Sequence, residues 1–141
     1  MKLISYKLGD NGAIGSLELD EIVPFIDDPS LPTDMLSFLE AGESATNKAV
    51  DLCKSPKSKI SLSDVKLLAP IFRPPKIIAI GLNYADHLEE VRAAGREMET
   101  PVVPMIFNKQ SLSATGPYED IHDPKVSEML DFEGELTFVI G

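Results

Sequence analysis

Two short stretches of the sequence hold side chains whose types and spacing suit acid–base or metal chemistry. In the first, GLNYADHLEEV, His87 and Glu90 are three residues apart. Side chains at positions i and i+3 lie on one face of a helix, within mutual reach. An imidazole is the natural general base near neutral pH, and a carboxylate beside it can orient the ring. The pair therefore suggests a base and its orienting partner, although a histidine at a helix start can also be a solvated or capping residue.

The second stretch, DFEGELTFVI, carries a row of carboxylates. If it is a strand, Asp131, Glu133 and Glu135 point to one face, because side chains alternate with period two. The row is tolerable either when water screens it or when a cation neutralises it. With a single cysteine and two histidines in the chain, the oxygen ligands favour a hard cation, Mg²⁺, Mn²⁺ or Ca²⁺. The alternatives are thus a solvated strand face and a divalent-metal site.

Composition narrows the class of protein. The chain has 141 residues, is 43% hydrophobic and has a net charge of −10. It can bury a core, and its acidity argues against nucleic acid as a partner. No apolar run approaches the roughly 18 residues that span a bilayer, so we expect no membrane partner. The lone Cys53 fits a cytoplasmic or other reducing compartment, and a mitochondrial one stays open.

The elements that must position these residues fall into two parts. The N-terminal part shows short apolar runs separated by turn signals such as GDNG, which predict strands. Two helices follow, the first with Thr33 as its cap and Gly42 as its end. Paired prolines in FRPPK suggest a boundary, so we predict domains 1–70 and 71–141. Predicted strands cover 2–8, 13–19, 21–26, 65–71, 76–82, 103–109 and 134–141, and predicted helices cover 31–42, 43–54 and 84–95.

Two details of the second part carry further expectations. In the helix that holds His87, Asp86 can serve as the N-cap with Glu89 three residues on. The last predicted strand is apolar and ends the chain at Gly141, which leaves an unpaired edge. We therefore expect the sequence to be the N-terminal portion of a longer protein.

Three stretches in this order resemble the fumarylacetoacetate hydrolase family: GLNYADHLEE (81–90), PMIFNKQSLSATGP (104–117) and LDFEGELTFVIG (130–141). The match covers about Lys76 to Gly141. The resemblance implies an α+β, β-rich fold, in which a small N-terminal α+β domain precedes the first part of a mixed β-sandwich or roll. It also implies a metal-dependent enzyme that acts on 2-oxo acids with a second carbonyl.

The resemblance assigns roles to five residues. Glu133 and Glu135 match the first two metal ligands, and the third ligand of the family comes later than Gly141. His87 and Glu90 match the catalytic His–Glu pair of a lid helix. Lys109 matches a lysine near the pocket, which makes it a candidate for substrate binding. Asp131 lies beside the ligands and matches no ligand position.

The implied reaction is hydrolysis of a C–C bond in an acylpyruvate or fumarylpyruvate. A bound Mg²⁺, or Mn²⁺ or Ca²⁺, supplies charge stabilisation for an enolate. Three sister reactions stay open: isomerisation of a hydroxymuconate-type diacid, decarboxylation of oxaloacetate, and dehydration of a 2-oxo acid. We expect a small-molecule 2-oxo acid substrate and a homodimer. The rival from another class is a non-catalytic binding module or an incomplete subunit that lacks the third metal ligand.

Overall fold

The computed structural model describes residues 1–140, and these form two compact units. One unit comprises Met1–Phe72 together with the C-terminal segment that begins at Thr115, and the other comprises Arg73–Ala114. The predicted domains 1–70 and 71–141 stay a prediction. Helices and strands occur together in the chain, so the α+β class is confirmed at that level, whereas the family-type sandwich or roll stays a prediction.

The first unit is built on a five-stranded antiparallel sheet with strand order β4-β3-β2-β1-β5. The β1–β2 hairpin pairs Lys2 with Leu17 at one end and Leu8 with Asn11 at the other. Its tight turn confirms the signal read from GDNG. The strands are β1 (Lys2–Leu8), β2 (Asn11–Glu18), β3 (Glu21–Pro24), β4 (Ile60–Ser61) and β5 (Lys66–Leu67).

Two helices complete the core of this unit. They are α1 (Met35–Glu40) and α2 (Gly42–Lys54). Ala41 lies between them, and Gly42, with φ of +61°, begins α2. Apolar residues of the sheet, of both helices and of the connection from β3 to α1 form one buried cluster, in which the Phe25 and Phe38 ring centroids are 5.1 Å apart. The members are Ile14, Val23, Phe25, Leu31, Met35, Phe38, Ala45, Ala49 and Leu52.

The N-cap predicted for α1 is wrong by one residue. The cap is Asp34, whose Oδ1 accepts a hydrogen bond from the backbone N–H of Ser37 at 2.9 Å. Both Thr33 and Asp34 are residue types that cap helices well. Asp34 takes the role because its side chain reaches the N–H three residues on.

The second unit pairs two strands with one helix. Strands β6 (Ile77–Gly81) and β7 (Met105–Lys109) are antiparallel, and helix α3 (Ala85–Ala93) lies between them in sequence. These three elements confirm the predicted strands and helix in this part of the chain. Strand β6 and helix α3 are shorter than predicted at both ends, and β7 is shorter at its start. The buried residues of the unit include Ala79 and Leu88.

The strand predicted for 134–141 is wrong for residues 134–140, which form no regular element; Gly141 lies outside the described residues. The apolar side chains of this segment are exposed, for example Phe138 at 76% and Ile140 at 91%. A strand needs backbone partners as well as an alternating pattern. Among residues 1–140, no other segment supplies such a ladder to this one.

Candidate functional site

Helix α3 presents both residues of the predicted catalytic pair. The chain leaves β6 at Gly81 and turns through Leu82, whose φ is +54°. A non-glycine residue in this left-handed region is strained, and such strain concentrates at turns and functional sites. The helix then begins at Ala85, with Tyr84 as its N-cap residue.

The predicted N-cap of this helix is wrong. Asp86 lies inside the first turn, and no side chain caps the helix through a hydrogen bond. Asp86 is two residues past the N-cap position, which Tyr84 occupies. Its carboxylate still lies at the positive end of the helix dipole, where a negative charge is favourable.

His87 and Glu90 occupy the same stretch of helix one turn apart, as their spacing predicts. His87 is half-buried and Glu90 is exposed. Within the described chain, no hydrogen bond or ion pair joins these two side chains, and Glu90 pairs with neither Arg92 nor Arg96. The structure therefore places the pair on one helix but leaves the orienting role of Glu90 a prediction. Catalytic hydrogen bonds are commonly long before substrate binds.

The side chain of Arg92, near the end of α3, forms hydrogen bonds with the segment that follows the helix. Its Nε donates to the carbonyl oxygen of Met98 at 3.0 Å, and its Nη2 donates to Oγ1 of Thr100 at 3.2 Å. Its acceptors are six and eight residues away in a segment without regular structure, which no local pattern indicates.

A shallow, open depression lies at the C-terminal end of α3 and in the segment after it, and neither His87 nor Glu90 lines it. The residues lining it are Arg92, Gly95, Arg96, Glu97, Met98 and Glu99. Two arginines and two glutamates line it, so the depression has no single sign of charge. It gives no support for ligand binding.

Lys109 ends strand β7, opposite Ile77 of β6. Its Nζ lies 5.9 Å from the centroid of the Phe107 ring, two residues earlier on the same face of the strand. This distance is within the range of a cation–π contact. The Lys109 ammonium therefore lies over an aromatic ring. Binding of substrate by Lys109 stays a prediction.

The carboxylates Glu133 and Glu135 lie on the exposed C-terminal segment of the other unit. Asp131, which precedes them, accepts a hydrogen bond at Oδ1 from the backbone N–H of Phe132 at 2.8 Å. Over residues 1–140, no group of three or more His, Cys, Asp or Glu side chains is arranged to hold a metal ion. The oxygen donors suit a hard cation in type, but two carboxylates do not complete a site.

Comparison with known proteins identifies the family. Residues 76–141 match the family model described as fumarylacetoacetate (FAA) hydrolase C-terminal. This range contains His87, Glu90, Lys109, Glu133 and Glu135. Residues 76–141 therefore belong to the fumarylacetoacetate hydrolase family, as the three sequence motifs predicted.

Several relatives are similar over most or all of the chain. The mitochondrial oxaloacetate tautomerase of Xenopus laevis is 43% identical over 147 residues, which cover 100% of this chain and 44% of that protein. The mitochondrial oxaloacetate tautomerase of Rattus norvegicus is 43% identical over 114 residues, covering 81% of this chain and 35% of that protein. A fumarylacetoacetate hydrolase domain-containing protein 2 homolog of Dictyostelium discoideum is 33% identical, covering 100% of this chain and 46% of that protein.

These comparisons also relate the length of the chain to the lengths of its relatives. It spans less than half of the length of the three relatives described above. Two of the three are named as enzymes, which indicates an enzyme family without specifying hydrolysis of C–C bonds. In the part of the chain that the structure describes, no helix has both the length and the apolar character to cross a membrane.

Proposed function

We propose that the chain contributes to an enzyme that interconverts the keto and enol forms of a short 2-oxo diacid of the oxaloacetate type. The observation that carries this proposal is the 43% identity over the whole chain to a protein named oxaloacetate tautomerase. The His87–Glu90 spacing supports it, because tautomerisation is a proton transfer and needs a group that titrates near neutral pH.

The proposed chemistry assigns one proton movement to His87. The imidazole takes a proton from the carbon between the two carbonyl groups of the keto acid, and the imidazolium delivers that proton to the ketone oxygen to give the enol. In the reverse direction the imidazole takes the enol O–H proton and returns it to the carbon. Glu90, one helical turn away, stabilises the imidazolium and fixes the orientation of the ring, as carboxylates beside histidines do. Its exposed position lets it approach the ring when substrate closes the site.

Lys109 provides a positive charge for a carboxylate of the substrate. The chain has a net charge of −10, so an anionic substrate needs a local cation to bind. The Nζ of Lys109 lies 5.9 Å from the centroid of the Phe107 ring, at the end of the exposed strand β7, where a substrate carboxylate can reach it.

Glu133 and Glu135 are proposed to bind Mg²⁺, or Mn²⁺ or Ca²⁺. They form only part of a site, so at least one further ligand is needed, and no step of the proton transfer is assigned to the metal. A homodimer is a further proposal. A mitochondrial setting is proposed from the printed names of the frog and rat relatives, and the cytoplasmic prediction remains its alternative.

Hydrolysis of an acylpyruvate C–C bond is the second candidate function. It is supported by the description of the family model matched by residues 76–141. In this reaction a water molecule attacks the distal carbonyl, and the C–C bond beside that carbonyl then breaks. The electron pair of the bond forms the enolate of the 2-oxo acid, which takes up a proton, and the acyl part leaves as a carboxylic acid. Decarboxylation, dehydration and a non-catalytic binding role are further alternative functions, which the same assays test.

The test follows the ultraviolet absorbance of enol oxaloacetate as it converts to the keto form, with Mg²⁺ present. We expect the chain to accelerate this conversion and His87→Ala to remove the acceleration. The matched control is His122→Ala, which changes the other histidine, an exposed loop residue. For the neighbouring pair of glutamates, Glu90→Ala should slow the reaction and Glu89→Ala should not.

Three results would contradict parts of this proposal. Equal acceleration by His87→Ala and the parent chain would exclude His87 as the base. Loss of an acylpyruvate without tautomerisation of oxaloacetate would favour the hydrolase. No turnover of either substrate, with a cooperative melt, would favour a non-catalytic module or an incomplete subunit.

A further inference from the structure

A loop near the start of the C-terminal segment is fastened to the N-terminal sheet by one carboxylate. Glu119 Oε1 accepts a hydrogen bond from Nζ of Lys66 on β5 at 2.7 Å. Glu119 Oε2 accepts from Oγ1 of Thr115 at 2.6 Å and from the backbone N–H of Gly116 at 2.8 Å. Both oxygens are therefore used, and the most distant partner, Lys66, is 53 residues from Glu119 in sequence.

A second, steric observation places the same loop against β5. Gly116 is buried, and a Cβ atom added to it would lie 3.1 Å from the carbonyl oxygen of Leu67 and 3.2 Å from Cδ of Glu119. The backbone N–H of Glu119 also donates to the carbonyl oxygen of Gly116 at 3.2 Å, which closes the turn. Close backbone approach of this kind favours glycine, because it has no side chain.

The electrostatics of the loop favour an ionised Glu119. Its hydrogen bond with Lys66, followed by those from Thr115 and Gly116, lowers the pKa of the Glu119 carboxyl to about 2. The Lys66 side chain is 59% exposed, and exposed ion pairs contribute little. The two hydrogen bonds from the loop itself are charge-assisted and local, so they should contribute more to loop order.

We propose that Glu119 holds residues 115–119 against the short strand β5 and so fixes where the C-terminal segment leaves the N-terminal sheet. We call the hydrogen bonds of Glu119 with Lys66, Thr115 and Gly116 the Glu119 clasp. Strand β5 has only two residues, and it pairs with Tyr6 and Lys7 of β1. The clasp adds side-chain bonds to a strand that has few backbone bonds. This inference concerns the order of the loop and is independent of the proposed catalytic function.

The experiment measures amide hydrogen exchange at Gly116 by NMR in the 141-residue chain. Its N–H donates to Glu119, so Glu119→Ala should raise its exchange rate by about tenfold, the scale of one charge-assisted hydrogen bond. The matched control is Glu128→Ala, an exposed glutamate of the same segment with no described partner. The control should leave Gly116 exchange unchanged. Equal exchange in Glu119→Ala and the parent chain would overturn the proposal.

A second measurement holds even if Glu119→Ala fails to fold. The side-chain carboxyl carbon of Glu119 is followed by NMR as pH falls, in the parent chain and in Lys66→Met. We expect the Glu119 carboxyl to titrate near 2 in the parent chain and at a higher pH in Lys66→Met. In Lys66→Met the amide of Gly116 should stay protected from exchange, because it still donates to Glu119. A parent carboxyl that titrates at the ordinary pKa of a glutamate would show that the clasp does not form.

Discussion

Ser16 offers the sharpest test of the packing of the N-terminal sheet. It lies on β2, paired with Leu3 on one side and Val23 on the other, and its side chain shares a face with Ile14 of the core. It is 0% exposed, and its Oγ has no hydrogen-bond partner among residues 1–140. A buried hydroxyl that has left water without gaining a partner destabilises the folded state.

The magnitude follows from that missing bond. An unsatisfied buried polar group costs about 1–3 kcal/mol, and Ser16→Ala removes it at the expense of a void the size of one oxygen atom. We expect Ser16→Ala to increase the free energy of unfolding by about 1 kcal/mol. The matched control is Ser5→Ala on the same face of β1, because Ser5 Oγ donates to the carbonyl oxygen of Pro70 at 2.7 Å. That substitution should decrease the free energy of unfolding by about 1 kcal/mol.

The assay is urea unfolding followed by far-ultraviolet circular dichroism, because the chain has no tryptophan for fluorescence. Opposite shifts of the midpoint at a constant slope would support the difference between the two serines. If Ser16→Ala destabilised the protein as much as Ser5→Ala, the Ser16 hydroxyl would be hydrogen-bonded in solution, and the reasoning would be refuted.

Two further predictions concern the first helix and the metal. Asp34→Ala should cost about 1 kcal/mol of unfolding free energy through loss of the α1 cap, while Thr33→Ala should cost little, as urea midpoints will show. The hydrogen bond from the Ser37 backbone N–H lowers the pKa of Asp34, so the stabilisation is present above the unfolded-state pKa and is lost as pH falls through the folded-state pKa. The midpoints of parent and Asp34→Ala should therefore converge at low pH; a constant gap would exclude the cap. Mg²⁺ or Mn²⁺ should raise the melting temperature of the parent and of Glu128→Ala but not of Glu133→Ala, and an equal rise in all three would exclude this metal site.

The family assignment depended on motifs that the sequence displays directly. The blocks around His87, Lys109 and Glu133 are contiguous in sequence, and the family match over residues 76–141 confirms the assignment. The motifs specify residue types and order. They do not specify which of several related reactions the pocket performs, because that choice depends on side chains brought together by tertiary structure.

Local elements were predictable where neighbouring residues alone decide the conformation. The GDNG turn between β1 and β2 and the helix predicted for 43–54 involve interactions within a few residues. The choice between Thr33 and Asp34 as a cap was not predictable, since both are good caps and only the geometry of the chain entry separates them.

Tertiary structure decided the features that need partners distant in sequence. The alternation in DFEGELTFVI satisfies a strand pattern, yet residues 134–140 form no strand, because a ladder requires a second backbone. The unsatisfied hydroxyl of Ser16 and the bond from Lys66 to Glu119 likewise depend on which segments pack together. The sequence alone determined the residue types available for chemistry and the short-range elements that carry them, since these depend on spacing along the chain. Long-range contacts decided which of those side chains found partners, because burial and hydrogen bonding are properties of the folded arrangement.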